Sequence, residues 1–216
     1  EMQVPTPYLL FLGDAPHAKT AQGVRDWRPD LCVGQLRFPG SALDMRLPEM
    51  DLEEAVAAGA RSLLVGAAPA GGLLPPAWME WIERALDLGM DIASGLHTKL
   101  NDIPSLKAKA DQLGRKLHDV RHPTEDFPIG DFAFRSGKRL LTVGADCAVG
   151  KMYTALSLER EMRERGWAAD FRATGQTGIF IAGQGISVDA VISDFVSAAA
   201  ATLSPANDAD HWDLIE

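Results

Sequence analysis

The sequence predicts an α/β fold built on parallel sheets, and three observations predict it. Short apolar runs alternate with segments of helical period along the chain. The helical segments open on Asp or Pro and stop at Gly, as helix ends prefer. One strand–loop–helix unit carries Gly at both ends of its loop and a Lys at the helix start.

The elements follow in order. Tyr8–Gly13 is the first apolar run, and it ends in Gly-Asp. Leu31–Leu36, Ser62–Ala68, Asp91–Leu96 and Lys116–Val120 are the next four. Between them, Asp51–Ala58 reads as a helix with Asp51 as N-cap and Glu53 and Glu54 in its first turn. Pro75–Leu88 reads as a second helix and Ile103–Leu113 as a third, ended by Gly89 and Gly114. Strands and helices alternating at this spacing form βαβ units, so residues 1–122 read as a Rossmann-like domain. Residues 123–136, rich in Pro and without period, read as a linker. Residues 137–216 read as a P-loop-like domain. Its elements are strand Arg139–Val143, the Gly-rich loop, helix Lys151–Arg165 and strand Ala169–Ala173. The turn Thr174–Gly178, a short strand Ile179–Ala182, a helix near Asp189–Leu203 and a strand from His211 complete it.

Bulk composition narrows the function. The 216 residues allow one large domain or two small ones. A net charge of −9 argues against general nucleic-acid binding, which needs a Lys/Arg surplus. It leaves room for one anionic small molecule in a local basic pocket. The two cysteines, Cys32 and Cys147, make neither a disulfide scaffold nor a zinc spacing. No apolar run is long enough for a membrane span, and the first residues lack the pattern of a signal peptide. A cytoplasmic protein that acts on a small molecule as a homo-oligomer, with no nucleic acid or membrane partner and no metal, is expected. The terminal strand lacks a following helix, so the natural chain is expected to continue past Glu216.

Segment 139–154 carries the chemistry. In the loop Gly144-Ala145-Asp146-Cys147-Ala148-Val149-Gly150, glycine lets backbone N–H groups converge on an anion. The helix start adds positive potential, and Lys151 adds a mobile charge. The candidate phosphate contacts are Gly144, Asp146, Cys147, Ala148, Val149, Gly150, Lys151, Met152 and Tyr153. Two departures separate this loop from G-x-x-x-x-G-K-[ST]. Five residues part the glycines, and Met152 stands where a Mg²⁺-binding hydroxyl belongs. Thr154 lies about 200° round the helix from that position and is not expected to replace it. Asp146 either holds a cation or ties the loop down. Cys147 reads as a small loop filler, with an acetyl-cysteine role as the lesser alternative. After the first strand, Gly13-Asp14-Ala15 lacks the further glycines of G-x-G-x-x-G, which argues against NAD. Lys19 and Thr20 beyond it either contact a ligand or sit on a helix surface.

Two resemblances follow from these residues. The pattern Gly144, Asp146, Val149, Gly150, Lys151 resembles the loop of dethiobiotin synthetase and related P-loop enzymes, over residues 137–216. That family has a Thr after the Lys. Its Mg²⁺-binding Glu is similar to Glu216, and its turn after the second strand is similar to Gln176-Thr177-Gly178. Over the whole chain the sequence resembles the DgcN-type family. The motifs are Gly95-Leu96-His97, Asp119-Val120-Arg121-His122-Pro123, the Asp146–Met152 loop and Asp170–Ile179. That resemblance implies a D-glutamate N-acetyltransferase using acetyl-CoA, whose phosphates would sit on the loop. His97, His122 and Asp119 are then the candidate catalytic groups, since transfer to an amine needs a base. Arg121, Gln176 and Thr177 are the candidate substrate contacts, Arg121 through bidentate pairing with a carboxylate or else as an ion pair between the domains. A Mg²⁺- and ATP-dependent ligase, carboxylase or kinase is the alternative, and a non-catalytic nucleotide sensor the third reading.

Overall fold

The computed structural model describes residues 4–69, 74–123, 126–130 and 133–216. The chain divides into two units, Glu1–His122 and Pro123–Glu216. Within the expected linker, residues 124, 125, 131 and 132 lie outside the described residues.

The first unit holds five strands: β1 (Tyr8–Gly13), β2 (Cys32–Arg37), β3 (Ser62–Val65), β4 (Asp91–Ser94) and β5 (Leu117–Asp119). They run parallel in the order β2-β1-β3-β4-β5. Helices α1 (Lys19–Trp27), α2 (Leu52–Ala57), α3 (Pro76–Asp87) and α4 (Pro104–Leu113) connect them. β1 is buried along its whole length, which is why its sequence is continuously apolar and does not alternate. Leu9, Leu63 and Ile92 align across three strands and are fully buried. Each such side chain contributes about 1.5–3 kcal/mol.

Local chemistry fixes the helix ends. The Asp51 carboxylate accepts from Glu54 N–H at 2.7 Å, and the Glu54 carboxylate accepts from Asp51 N–H at 2.9 Å, closing a capping box on α2. α3 and α4 each start at a Pro, and α4 stops at Gly114 with φ +63. The outer edge of β2 is covered by the chain's own loop. Gln35 N–H donates to Pro48 O, and Met50 N–H donates to Gln35 O. The buried Gln35 amide bonds Asp44 and Glu49 and accepts from Met45 N–H, so none of its polar atoms is stranded.

Strand order reverses between β1 and β3, the place where such sheets take ligands. Here the Trp78 indole from α3 lies over Gly13. A Cβ on Gly13 would sit 2.6 Å from Trp78 Cε2. The indole N–H donates to Asp14 Oδ1 at 2.8 Å. The backbone that a dinucleotide pyrophosphate would approach is covered by a ring, in keeping with the missing glycines.

The second unit holds β6 (Lys138–Leu141), α5 (Lys151–Glu164), β7 (Ala169–Arg172), α6 (Gln176–Ala182), α7 (Val196–Leu203) and β8 (Trp212–Ile215). Its sheet is parallel in the order β6-β8-β7, so the last strand is the central one. The expected strand Ile179–Ala182 is instead the end of α6. Gly178 through Ile181 are all buried, and a short buried apolar run has the same pattern in either form. β8 occupies the place beside β7. The expected helix near Asp189–Leu203 is two single 3₁₀ turns, Val188–Ala190 and Ser193–Phe195, followed by α7.

A row of charge crosses this sheet. Arg139, Asp213 and Asp170 share one register. Asp213 is 1% exposed and accepts from Arg172 Nε at 2.9 Å and from Ser204 Oγ at 2.5 Å, while Arg139 Nε donates to Ser204 Oγ. A buried carboxylate is tolerable only when paired and bonded in this way. His211 Nε2 lies 3.2 Å from Asp170 and 3.3 Å from Asp213. These three residues group their ligand atoms within 4.8 Å, but Arg163 and Arg172 already neutralise the two carboxylates.

Candidate functional site

The candidate site of the second unit is built where β6 gives way to α5. Gly144 opens the loop because nothing larger fits. A Cβ there would meet Val149 Cγ2 at 2.6 Å and the Lys151 stem at 3.4 Å. Gly150 closes it with φ +97, a left-handed conformation that other residues adopt under strain. Ala148 also has positive φ, +55. Alternation of this kind turns successive N–H groups toward one concavity, an anion nest. α5 runs 14 residues from Lys151 with no acidic residue in its first turn, so its positive end is not neutralised there.

The loop is held by its own polar groups. Cys147 N–H donates to Asp146 Oδ1 at 2.6 Å, and Lys151 Nζ donates to the Asp146 carbonyl at 2.7 Å. Thr154 Oγ1 donates back to Gly150 O at 2.9 Å, so its hydroxyl serves the helix start. Cys147 is exposed, as are Asp146, Ala148 and Val149. Met152 and Tyr153 complete the first turn of α5.

The turn after β7 comes to the same end of the sheet. Gln176 and Thr177 are the first two residues of α6, which starts after Gly175. Glu216 follows β8 between the two loops. A Cβ on Gly175 would lie 3.3 Å from Glu216 Oε1. Burial raises the Glu216 pKa above the usual carboxylate range, while the Lys151 charge and a bond from Thr174 N–H pull the other way. The residue stood apart from the phosphate loop in the sequence, and only the pairing of β8 with β6 brings them together. Because the folded value is raised, Glu216 costs nothing where both states are protonated. It destabilises the fold as pH rises from the ordinary glutamate range through that raised value. Glu216→Gln is therefore expected to raise the melting temperature at pH 7 and to lose that advantage below about pH 4. Equal shifts at both pH values would refute the assignment.

In the first unit the remaining candidates gather after β4 and β5. His122 Nε2 lies 3.1 Å from the His97 carbonyl and donates to it, which leaves Nδ1 as the acceptor nitrogen. His122 N–H donates to Asp119 O. The Asp119 carboxylate, 7% exposed, accepts from Leu100 N–H, Asn101 N–H and Asn101 Nδ2 at 2.7–3.0 Å. It anchors the 3₁₀ turn Leu100–Asp102. Arg121 lies between Asp119 and His122 in the segment that follows β5. No described helix is long and apolar enough to cross a membrane.

Comparison with known proteins gives concordant matches. A family model described as a domain of unknown function, DUF1611_N, Rossmann-like domain, matches residues 39–123. A second, described as a domain of unknown function, DUF1611_C, P-loop domain, matches residues 129–216. A protein of Tritonibacter scottomollicae named D-glutamate N-acetyltransferase is 55% identical over 216 residues, 99% of this chain and 65% of that protein. One of the same name from a Pseudoalteromonas species is 47% identical over 218 residues, 100% of this chain and 66% of that protein. The crystal structure of a DUF1611 family protein from Anabaena variabilis is similar with a TM-score of 0.82 at 30% identity, covering 98% of this chain and 66% of that one. The chain thus spans just under two thirds of the length of each of these three.

Proposed function

This chain belongs to the DUF1611 family, with its Rossmann-like and P-loop domains in order, and we propose that it is part of an N-acetyltransferase that moves the acetyl group of acetyl-CoA to the amine of D-glutamate. The observation that carries the reading is the loop Gly144–Lys151. It has the nest, the helix end and the lysine of a phosphate site, with Met152 in the position of the metal-binding hydroxyl. Such a loop suits a diphosphate that is held and not hydrolysed. Two relatives bear the name of that activity over the whole length of this chain.

In this reading the N–H groups of the loop and Lys151 hold the CoA phosphates. The thioester of such a ligand would stand at the other end of the pantetheine arm from the phosphates, so the proton acceptor is sought outside the loop. His122 is the first choice, through Nδ1, with His97 beside it. Asp119, with three donors on its carboxylate, serves to hold the turn. The ammonium of the acceptor gives a proton to the base. The freed amine attacks the thioester carbon, the C–N bond forms, the C–S bond breaks, and the second nitrogen proton reaches the leaving thiolate. Gln176 and Thr177, on the unit that carries the loop, are assigned to a substrate carboxylate, with Arg121 of the first unit as the alternative contact.

The deciding experiment is calorimetry of acetyl-CoA and of ATP with Mg²⁺ on the full-length protein and on Lys151→Ala. Acetyl-CoA binding weakened at least about tenfold by the substitution is the expected result. Glu216 beside Lys151 is the observation that favours a Mg²⁺- and ATP-dependent enzyme instead. Binding of ATP with Mg²⁺ and none of acetyl-CoA would establish that second reading.

A further inference from the structure

Two threonines tie the site together, and neither belongs to a phosphate-loop motif. Thr142 directly follows β6. Its N–H donates to Ile215 O at 2.9 Å, extending the ladder to β8 by one bond. Its hydroxyl oxygen lies 3.1 Å from Lys151 O and 3.3 Å from Ile215 O. Thr174 stands two residues beyond the end of β7, and its hydroxyl donates to Glu216 O. One strand end, Ile215-Glu216, thus serves as the reference for both loops. Of the two hydroxyls, that of Thr142 reaches the backbone of the residue whose ammonium the site depends on.

We propose that Thr142 is a positioning residue for ligand phosphate: its hydroxyl donates to Lys151 O while its N–H donates to Ile215 O, which fixes the first residue of α5 against the central strand and so sets where the Lys151 ammonium and the loop N–H groups point. The inference rests on the reading that phosphates of the acyl donor lie on this loop. It follows from the geometry of a cradle. The loop between Gly144 and Gly150 is exposed and braced by its own bonds at Asp146, so its placement on the sheet depends on its two ends. At one end stands the β6–β8 ladder, and at the other Lys151. Thr142 is the side chain that connects them directly. A bond of this kind contributes little to global stability when lost to a methyl group. It matters for affinity, because a small misplacement of converging donors weakens all of them together.

The test compares Thr142→Val, which keeps the shape and the N–H bond, with Thr142→Ser, which keeps the hydroxyl. The ligands are acetyl-CoA and acetyl-pantetheine, which lacks the diphosphate, on the full-length protein with Lys151→Ala as reference. Thr142→Val is expected to weaken acetyl-CoA about five- to tenfold, through KM with kcat little changed, and to leave acetyl-pantetheine unaffected. Thr142→Ser is expected to restore the affinity. A Thr142→Val protein that loses both ligands equally, or simply melts lower, would show a merely structural threonine and overturn the inference. Should Val at 142 not fold, Thr142→Ala is read by the same criteria. Unchanged acetyl-CoA affinity in Thr142→Val alongside loss in Lys151→Ala would also overturn it, with the phosphate reading intact. Unchanged affinity in Lys151→Ala would remove the reading itself.

Discussion

Trp78→Ala lowers the stability of the Glu1–His122 unit by about 3–5 kcal/mol. Trp78 is 0% exposed. Its ring meets Phe11 edge-on at 5.1 Å and 89° between planes, an arrangement that adds to simple burial. Truncation opens a cavity beside β1, a strand buried along its whole length, where the surrounding side chains have little freedom to collapse. It also leaves Asp14 without the indole N–H and uncovers Gly13. Trp78→Phe keeps most of the apolar area and loses only the bond, so an intermediate loss is expected. Urea unfolding of the full chain checks both, with the two units fitted as separate transitions. A loss of less than about 1 kcal/mol for Trp78→Ala would mean that the site relaxes, and that the ring is not what holds α3 against β1.

That residue also shows where sequence reading stops. The bounds of β1 are legible because an unbroken apolar run is what a strand buried on both faces requires. The ends of α2, α3 and α4 are legible because Asp51, the prolines and Gly114 act on their own neighbours. α1 is not legible in the same way. Its N-cap Ala18 makes no capping bond and Gly23 lies inside it, so tertiary contact through Ala21, Gly23 and Val24 decides for helix. α6 is hidden in an apolar run that has the pattern of a strand, though Gly175 before it and Gly183 after it, the latter left-handed, mark its two ends. The contact of Trp78 with Gly13 joins residues far apart in sequence, and no local pattern announces it. The candidate site divides likewise. Loop 144–151 is visible because phosphate chemistry demands glycines and a lysine close together. Glu216 is marked in the sequence through the resemblance to the dethiobiotin synthetase loop enzymes, whereas Thr142 and Thr174 join the site only through the pairing of β8 between β6 and β7. The donors to the Asp119 carboxylate, from Leu100 and Asn101, are likewise invisible from its place at a strand end.

Gly144→Ala weakens acetyl-CoA binding about 10- to 100-fold, and Val149→Ala in the same chain restores most of it. The added methyl would stand 2.6 Å from Val149 Cγ2, inside any real carbon–carbon contact, and 3.4 Å from the Lys151 stem. Val149 is β-branched and cannot swing one methyl away without bringing the other round. The loop must therefore move, at about 1–3 kcal/mol for overpacking of this size. The strain falls on the segment whose N–H groups converge, so it is read as lost affinity more than as lost fold. Val149 itself is 56% exposed, and Val149→Ala alone is expected to change little. The double variant removes the colliding atom while keeping the methyl on residue 144. Its recovery would be a coupling between neighbours, larger than independent effects allow. Calorimetry of acetyl-CoA on the wild type, the two single variants and the double variant measures it. If the double variant binds no better than Gly144→Ala, the contact with Val149 is not what requires glycine there. The requirement would then lie with the ligand, whose phosphate would need the space that a Cβ on residue 144 fills.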